Sequence, residues 1–495
     1  MGKQVEISEK LQKARDYEQK ELAQRNMVEK QSFHVCAPVG WINDPNGFSE
    51  FKGEKHLFFQ YHPYDTNWGP MHWGHVKTSD FIRWEQLPVA LAPDETYDGF
   101  GCFSGSAIEW KGMHVIAYTG VESTKENGKQ IEYQRQCIAL GDGTNYQKMT
   151  TNPVITDELI PAGGSKLDFR DPKIWADGEV VNMVVGNRAE DGSGQILLYR
   201  SCDLEHWDFV SVLDQSQNRY GKMWECPDFF TIEGTDVLIV SPQEMQAVDD
   251  DLHAGDGTLF ILGSYDKLSA GFEEKQVRAV DMGLDFYAPQ TMQCSDGRHI
   301  MIAWLQSWSA SWFTKEDGFC GMMTIPRELK MNHGVLCQLP VHELTNYYTN
   351  RYVLDHIEVS SKRVNCERLS GREQNLDLTL EGDGDYLFEL RVAENEQYYT
   401  SIQYDSKQQV LIFDRSHSGV RRDVAHFRRM HVQGDHEQLK LRVLMDRYSI
   451  ELFVNDGEQA MTSVIRTPYD AAGVSMYAEG KVVVSVEKNE IDCKQ

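Results

Sequence analysis

The chain has ten cysteines, but no two of them stand in a Cys-x-x-Cys spacing. Zinc ribbons and thioredoxin-type redox motifs are therefore not expected, and scattered single thiols fit a reducing compartment. No stretch approaches the ~18 apolar residues of a membrane span. Residues 1–31 are rich in Lys, Glu and Gln and lack the apolar core of a secretory signal. Position 6 is Glu, so Gly2 does not begin a myristoylation pattern. Basic charge is short as well: 49 Lys and Arg face 76 Asp and Glu, a formal net charge of −27. Such a surface repels a phosphate backbone or an anionic bilayer. The expectation is a cytoplasmic protein that binds neither nucleic acid nor membrane.

What is present is length, aromatic content and a faint repeat. At 495 residues, 41% hydrophobic and 25% charged, the chain should form two or more soluble domains. A charged helix is expected over Ser8–Lys30, with Ser8 as its cap; its apolar side (Leu11, Ala14, Tyr17, Leu22, Val28) is broken by Glu18, Glu21 and Arg25. Such a helix packs on the body or on a second copy of the chain, or stays a solvated arm. From Phe33 to about Leu339, short apolar runs such as residues 56–61, 113–118 and 237–240 alternate with turns and read as strands. Asp80, Asp142, Asp203 and Asp266 recur in turn contexts at intervals of about 60 residues. A second series, Asp44, Ser104, Asp171, Glu225 and Phe286, runs at a similar period. A unit of that length with four strands is a propeller blade, and 33–340 accommodates five. The first strand of each blade would line a central channel, bringing Asp44, Ser104, Asp171, Glu225 and the 285–287 region to one axial pocket. After a connecting segment (341–352), residues 353–495 alternate apolar and polar in strand-length runs, the texture of an antiparallel β-sandwich. The expected fold is thus all-β, with residues 1–32 as a helical segment ahead of the propeller.

The stretch Trp41-Ile-Asn-Asp-Pro-Asn-Gly47 stands at the centre of this pattern. Taken alone, Asp44 reads equally as the acceptor in an Asx-turn. Together with Asp171 and Glu225 it supplies what glycosidic cleavage needs: one carboxyl to protonate the leaving oxygen and one carboxylate to attack or activate water. Glu225, between Trp224 and Cys226, fits the acid; Asp44, with turn amides after it, fits the ionised group. Asp171 beside Arg170 should stay charged and grip sugar hydroxyls.

Trp-Ile-Asn-Asp-Pro-Asn-Gly, Phe-Arg-Asp-Pro-Lys and Trp-Glu-Cys-Pro-Asp, in this order, resemble the three signature motifs of glycoside hydrolase family 32, the invertases, sucrose-6-phosphate hydrolases, inulinases and levanases. Supporting phrases are residues 68–75, 285–288, 326–329 and, in the C-terminal region, 446–453. The resemblance implies a five-bladed propeller joined to a β-sandwich and a retaining double displacement. Asp44 would be the nucleophile, Glu225 the acid/base and Asp171 the transition-state stabiliser. It further implies a fructose pocket of Asn43, Gln60, Trp68, Phe103, Ser104, Arg170 and Trp308, and no cofactor or metal. One departure stands out: Asn187-Arg188 occupy a place where many members carry Ala-Gln, which puts the leaving-group side in question. Hydrolysis of terminal β-fructosides such as sucrose or short fructo-oligosaccharides leads. Sucrose-6-phosphate hydrolysis, fructosyl transfer and a catalytically dead binding propeller are the alternatives. His72 and His75 lack a third metal ligand, Asp249–Asp251 lacks calcium-loop spacing, and Cys226 beside the acid reads first as a buried inert thiol and second as tuning the acid.

Overall fold

The computed structural model describes residues 7–24, 30–308, 318–382, 384–421, 424–434 and 438–493. Five antiparallel sheets follow one another along the chain, each a meander of four strands. Blade 1 comprises Gly40–Phe51, Glu54–His62, His72–Thr78 and Glu85–Leu91; blade 2 comprises Gly101–Trp110, Met113–Glu126, Lys129–Gly141 and Tyr146–Lys148. Blade 3 is Phe169–Asp177, Val180–Arg188, Gly194–Ser201 and Asp208–Gln215, and blade 4 is Met223–Ile232, Thr235–Gln243, Leu259–Asp266 and Gly271–Ala279. Blade 5 uses Tyr287–Gln293, His299–Trp304, Arg327–Asn332 and Val335–Pro340. Each first strand touches the first strands of both neighbouring blades, and the fifth returns to the first, so the ring closes. Residues 319–320 pair in parallel with residues 40–41 and seal the joint between blades 5 and 1.

The turn aspartates explain the fainter repeat. Asp80, Asp142 and Asp203 lie between the third and fourth strands of their blade and Asp266 ends the third strand of blade 4; each accepts backbone N–H groups two or three residues on. An Asx-turn is compact and tolerant of sequence around it, so the aspartate is what persists. Blade 5 makes the same connection through His333 and Gly334, both at positive φ, and carries no such mark.

The N-terminal helix, Glu9–Gln24, starts where expected, with Ser8 Oγ accepting the Leu11 N–H at 3.1 Å. It lies on the chain's own first blade: Leu11 and Ala14 are buried, Arg15 Nε donates to Val89 O at 2.9 Å, and Lys10 Nζ to Pro93 O at 2.7 Å. The rest of the expected helix, residues 25–29, lies outside the described residues.

The C-terminal region forms two six-stranded sheets packed face to face over one apolar core. One sheet orders Tyr348–Val359, Val482–Ile491, Gln374–Gly382, Leu439–Met445, Ser449–Val454 and Gln459–Val464; the other runs from Val364–Asn365 through Gly473–Glu479, Leu387–Glu394, Thr400–Asp405 and Val410–Asp414 to Phe427–His431. The expected connection, 341–352, holds a 3₁₀ turn over His342–Tyr347 and the first residues of an edge strand.

A fully buried charge cluster joins the two parts. Arg327 donates to Glu451 Oε2 (2.6 Å), Asp281 Oδ2 (3.0 Å) and Gln338 Oε1 (2.7 Å). His34 lies between Asp446 and Glu451, 2.8 Å from each. Burial opposes charging this ring, but the two carboxylates outweigh it and raise its pKa to about 9. A histidine whose folded pKa lies above its unfolded value of roughly 6.5 stabilises the fold fully below that pH and progressively less up to the folded pKa. We therefore predict that stability falls by roughly 3 kcal/mol between pH 6.5 and 9. Chemical denaturation of the wild type and His34→Gln checks this; a variant with the same slope over that window would contradict it.

Candidate active site

In every blade the first strand carries at least one residue more than the stretch of second strand it faces, and blade 1 carries a second surplus at Asn46–Ser49. The surplus common to all five blades falls at Ile42–Pro45, Phe103–Gly105, Arg170–Lys173, Glu225–Asp228 and Tyr287–Gln290. These are β-bulges, which bend a strand and re-aim its side chains. Three bulge residues adopt left-handed backbone: Asp171 (φ 68°), Cys226 (φ 46°) and Ala288 (φ 52°). Such strain costs about 1–3 kcal/mol per residue and needs fixing by its surroundings. Each of the three is fixed through its own N–H, donated to Thr119 Oγ1 (2.9 Å), Asp171 Oδ2 (3.0 Å) and Ser241 Oγ (3.2 Å) respectively.

The re-aimed side chains converge on a cavity of about 480 Å³. Asp44, Asp171 and Glu225 line it together with Asn43, Gln60, Trp68, Phe103, Ser104, Arg170 and Trp308, so all ten residues singled out in the sequence meet there. Trp308 stacks over Trp41, and Trp68 meets Phe103 edge-on, giving the opening aromatic walls. Asn43 Oδ1 accepts Trp41 Nε1–H at 2.8 Å, and Gln60 Nε2 donates to Cys102 O at 3.0 Å, which orients both amides.

The hydrogen bonding differs from the expectation in four places. Asp44 is held by Ser104 Oγ–H (2.7 Å to Oδ2) and not by the turn amides, and its Oδ1 has no partner among the described residues. Arg170 pairs with Glu225, Nε to Oε1 at 2.9 Å, although Asp171 is its sequence neighbour; the bulge turns both into the cavity, and the guanidinium reaches across to the next blade. Glu225 is not in an apolar setting: Tyr287 O–H donates to its Oε2 at 2.5 Å, while Trp224 turns into the blade core. Asp285 leaves the pocket entirely, buried against Arg415 and the Val464 N–H of the sandwich.

Burial raises the pKa of Asp44 to about 6, against the Ser104 hydrogen bond and with the added repulsion of Glu225. Asp171 is also raised by burial; Arg170 counters this, while Glu225 and Asp44 reinforce it. Cys226 Sγ sits 3.6 Å from a carboxylate oxygen of each, Asp44 Oδ2 and Asp171 Oδ2, and its own thiol is pushed far up by burial and these charges. It remains a neutral, weak donor between two acids.

The sequence reading missed the rim. Gln130, Ile131, Glu132 and Gln134 come from the long hairpin of blade 2, and Leu167 and Asp168 from the loop entering blade 3. Asn187 and Arg188 do not line the cavity. Asn187 Nδ2 donates to Ser165 O and Asp168 O (2.8 and 2.6 Å), and Arg188 Nη1 stands 3.5 Å from Asp168 Oδ2, so both act on the rim loop from behind. His72 bonds Pro70 O, and His75 bonds His56 within the blade core.

Residues 34–340 match the glycosyl hydrolases family 32 N-terminal domain, and residues 343–492 match that family's C-terminal domain. A sucrose-6-phosphate hydrolase of Escherichia coli is 35% identical over 455 residues, covering 91% of this chain and 92% of its own. A raffinose invertase of the same organism is 35% identical over 457 residues, 90% and 91% of the two chains. Among solved structures, a variant of the Bombyx mori family 32 β-fructofuranosidase in complex with sucrose superposes with a TM-score of 0.83 at 32% identity, covering 97% of this chain and 98% of that one.

An ionised Asp44 loses its charge as pH falls through about 6, so kcat/KM on a β-fructoside should drop on the acid side with an apparent pKa near that value, belonging to the carboxylate cluster as a whole. Ser104→Ala removes the hydrogen bond that favours the charged form and should move this limb up by about one pH unit. A pH–rate profile of wild type and variant is the measurement; an unmoved limb would remove Asp44 from this role.

Proposed function

The chain belongs to glycoside hydrolase family 32 and is a glycoside hydrolase of the fructofuranosidase type; we propose that it cleaves neutral, terminal, non-reducing β-D-fructofuranosides, sucrose and short fructo-oligosaccharides, with retention. In this reading Asp44 attacks the anomeric carbon of the fructosyl unit while Glu225 gives its proton to the departing sugar oxygen. The bond to that oxygen breaks as the ester to Asp44 forms. Glu225, now ionised, takes a proton from water, whose oxygen attacks the same carbon and releases Asp44. Asp171, anchored by the Cys226 N–H, accepts hydroxyl protons of the ring and faces the positive charge that builds in both transition states.

Three carboxylates lining one cavity carry the reaction class. The rim supports a neutral leaving group. Glu132 and Asp168 stand on it, and Arg170, the one cation among the described lining residues, is already engaged by Glu225. A phosphate there would meet two carboxylates and, among the described lining residues, no free positive partner. Sucrose-6-phosphate hydrolysis is the second reading, favoured by the relative of that name at 35% identity.

Steady-state kinetics on sucrose, sucrose-6-phosphate and 1-kestose, with product analysis at high sucrose, tests the assignment. Sucrose should exceed its 6-phosphate by about tenfold or more in kcat/KM, the scale of one misplaced charge, and hexoses should dominate over longer oligosaccharides. Glu225→Gln should lower kcat by about 10²–10⁴-fold. A preference for the phosphorylated sugar would overturn the substrate, and undiminished turnover by Glu225→Gln the assignment of the acid.

A further inference from the structure

Two aliphatic side chains line the catalytic cavity without joining any apolar cluster of the core. Leu167 is 43% exposed, and Ile131, in the long hairpin of blade 2, is half-buried. Both stand at the mouth. The floor is made by Asn43, Asp44, Gln60 and Ser104, none more than 8% exposed. Asp44 has to touch the anomeric carbon, so the fructosyl unit fills that floor and the departing sugar extends towards the mouth. Nucleophile and acid flank the bond that breaks, which puts the departing sugar beside Glu225.

Hydrogen bonds mark the same side. Arg170, which holds Glu225, also reaches Gln134 Oε1 at 3.3 Å and Asp168 Oδ1 at 3.4 Å. The returning strand of the blade 2 hairpin, with Ile131, and the loop entering blade 3, with Leu167, therefore both flank the acid. That loop has no regular secondary structure, yet its shape is set. Ser165 Oγ accepts the N–H groups of Leu167 (3.2 Å) and Asp168 (3.0 Å). Asn187, fully buried behind it, donates to Ser165 O (2.8 Å) and Asp168 O (2.6 Å), and its Oδ1 accepts Gln195 Nε2–H at 2.7 Å. A loop tied on both sides of Leu167 needs little further ordering when a sugar binds.

An aldopyranose suits this mouth. Its ring carries axial C–H groups on its faces and hydroxyls round its edge, so a face can lie on an aliphatic side chain while the edge bonds carboxylates and amides. Leu167 and Ile131 supply the first kind of contact, Gln130, Glu132 and Asp168 the second. We infer that Leu167 and Ile131 form the apolar wall of a subsite for a departing pyranose, and that Asn187, by holding the 165–168 loop, is a positioning residue on which leaving-group specificity depends. The inference rests on the fructosidase reading above and makes the preference for sucrose over simpler fructosides a property of this rim.

The test compares kcat/KM for sucrose with kcat/KM for methyl β-D-fructofuranoside, whose methanol leaving group has no ring to lay on these side chains. The ratio of the two is the reading: losses of folded enzyme cancel in it, and the difference in leaving-group chemistry is common to wild type and variants. Leu167→Ala should lower the ratio about tenfold, the scale of one aliphatic side chain withdrawn from a sugar face, and Leu167→Met should restore most of it. Asn187→Ala should lower it about fivefold. If that variant fails to fold, Ser165→Ala, which removes the acceptor of the Leu167 and Asp168 N–H groups, takes its place. A ratio that Leu167→Ala leaves unmoved or raises overturns the subsite, and one unmoved by the Asn187 or Ser165 variant overturns the positioning role. A wild type that cleaves the methyl fructoside but not sucrose overturns the subsite alone; one that cleaves neither overturns the fructosidase reading with it.

Discussion

Five inner strands all break step with their partners at the equivalent position, and the site exists because they do. A regular strand sends successive side chains to opposite faces, so residues 44, 171 and 225 would otherwise alternate between channel and blade core as their ladders dictate. A residue inserted at that position frees the choice locally and leaves the ladder to resume beyond it. The cost is left-handed backbone at Asp171, Cys226 and Ala288, and each is held by a side chain from a neighbouring strand. The acceptors that enforce the strain, Thr119, Asp171 and Ser241, each belong to the preceding blade. The strained geometry is therefore available only in the closed ring.

Bringing three carboxylates together in a buried place creates an electrostatic problem that the donors divide unevenly. Glu225 receives the guanidinium of Arg170 and the phenol of Tyr287, one on each oxygen. Asp171 receives a backbone N–H and Asp44 a hydroxyl, with the weak Cys226 thiol between them. Burial then lifts the two aspartates, and Asp44 keeps one oxygen with no partner among the described residues. A poorly solvated, half-paired carboxylate is a better nucleophile than one saturated with donors, which is the state the proposed mechanism asks of Asp44. Arg170 serves in the same scheme by holding Glu225 in place until the sugar arrives.

The sequence announced the site residues more completely than their partnerships. Asp44, Asp171 and Glu225 sit in short phrases with Pro and Gly or Cys, because a bulge needs residues that tolerate it, and such phrases survive as motifs. The four turn aspartates were legible for a similar reason. Neighbour relations were not: adjacency suggested Arg170 with Asp171, whereas the guanidinium reaches a glutamate in the next blade. Nor was the rim, since the Gln130–Gln134 segment lies in a hairpin whose reach depends on its length in space. In the sandwich, Gln459–Val464 shows no alternation to read, because it is buried almost throughout and carries Thr462 and Ser463 where an alternating pattern would show a stripe. Those polar residues face the seam, where Thr462 bonds Asp281 and Arg327.

That seam bears on catalysis through ring closure. Each blade takes its four antiparallel strands from one contiguous stretch, so no blade is built from both ends of the chain. What joins them directly is the short parallel pairing of residues 40–41 with 319–320, just ahead of Asp44. Glu451 of the sandwich grips both flanks of that joint: its Oε1 takes the His34 ring on one side and the Ile325 N–H on the other. Its second oxygen holds Arg327, which continues to Asp281 at the end of blade 4. The sandwich thus acts as a clasp on the one place where the ring is covalently open, and that place carries the strand with the proposed nucleophile. Buried ion pairs add little net stability but fix one arrangement against others, and here the arrangement fixed is the position of Asp44.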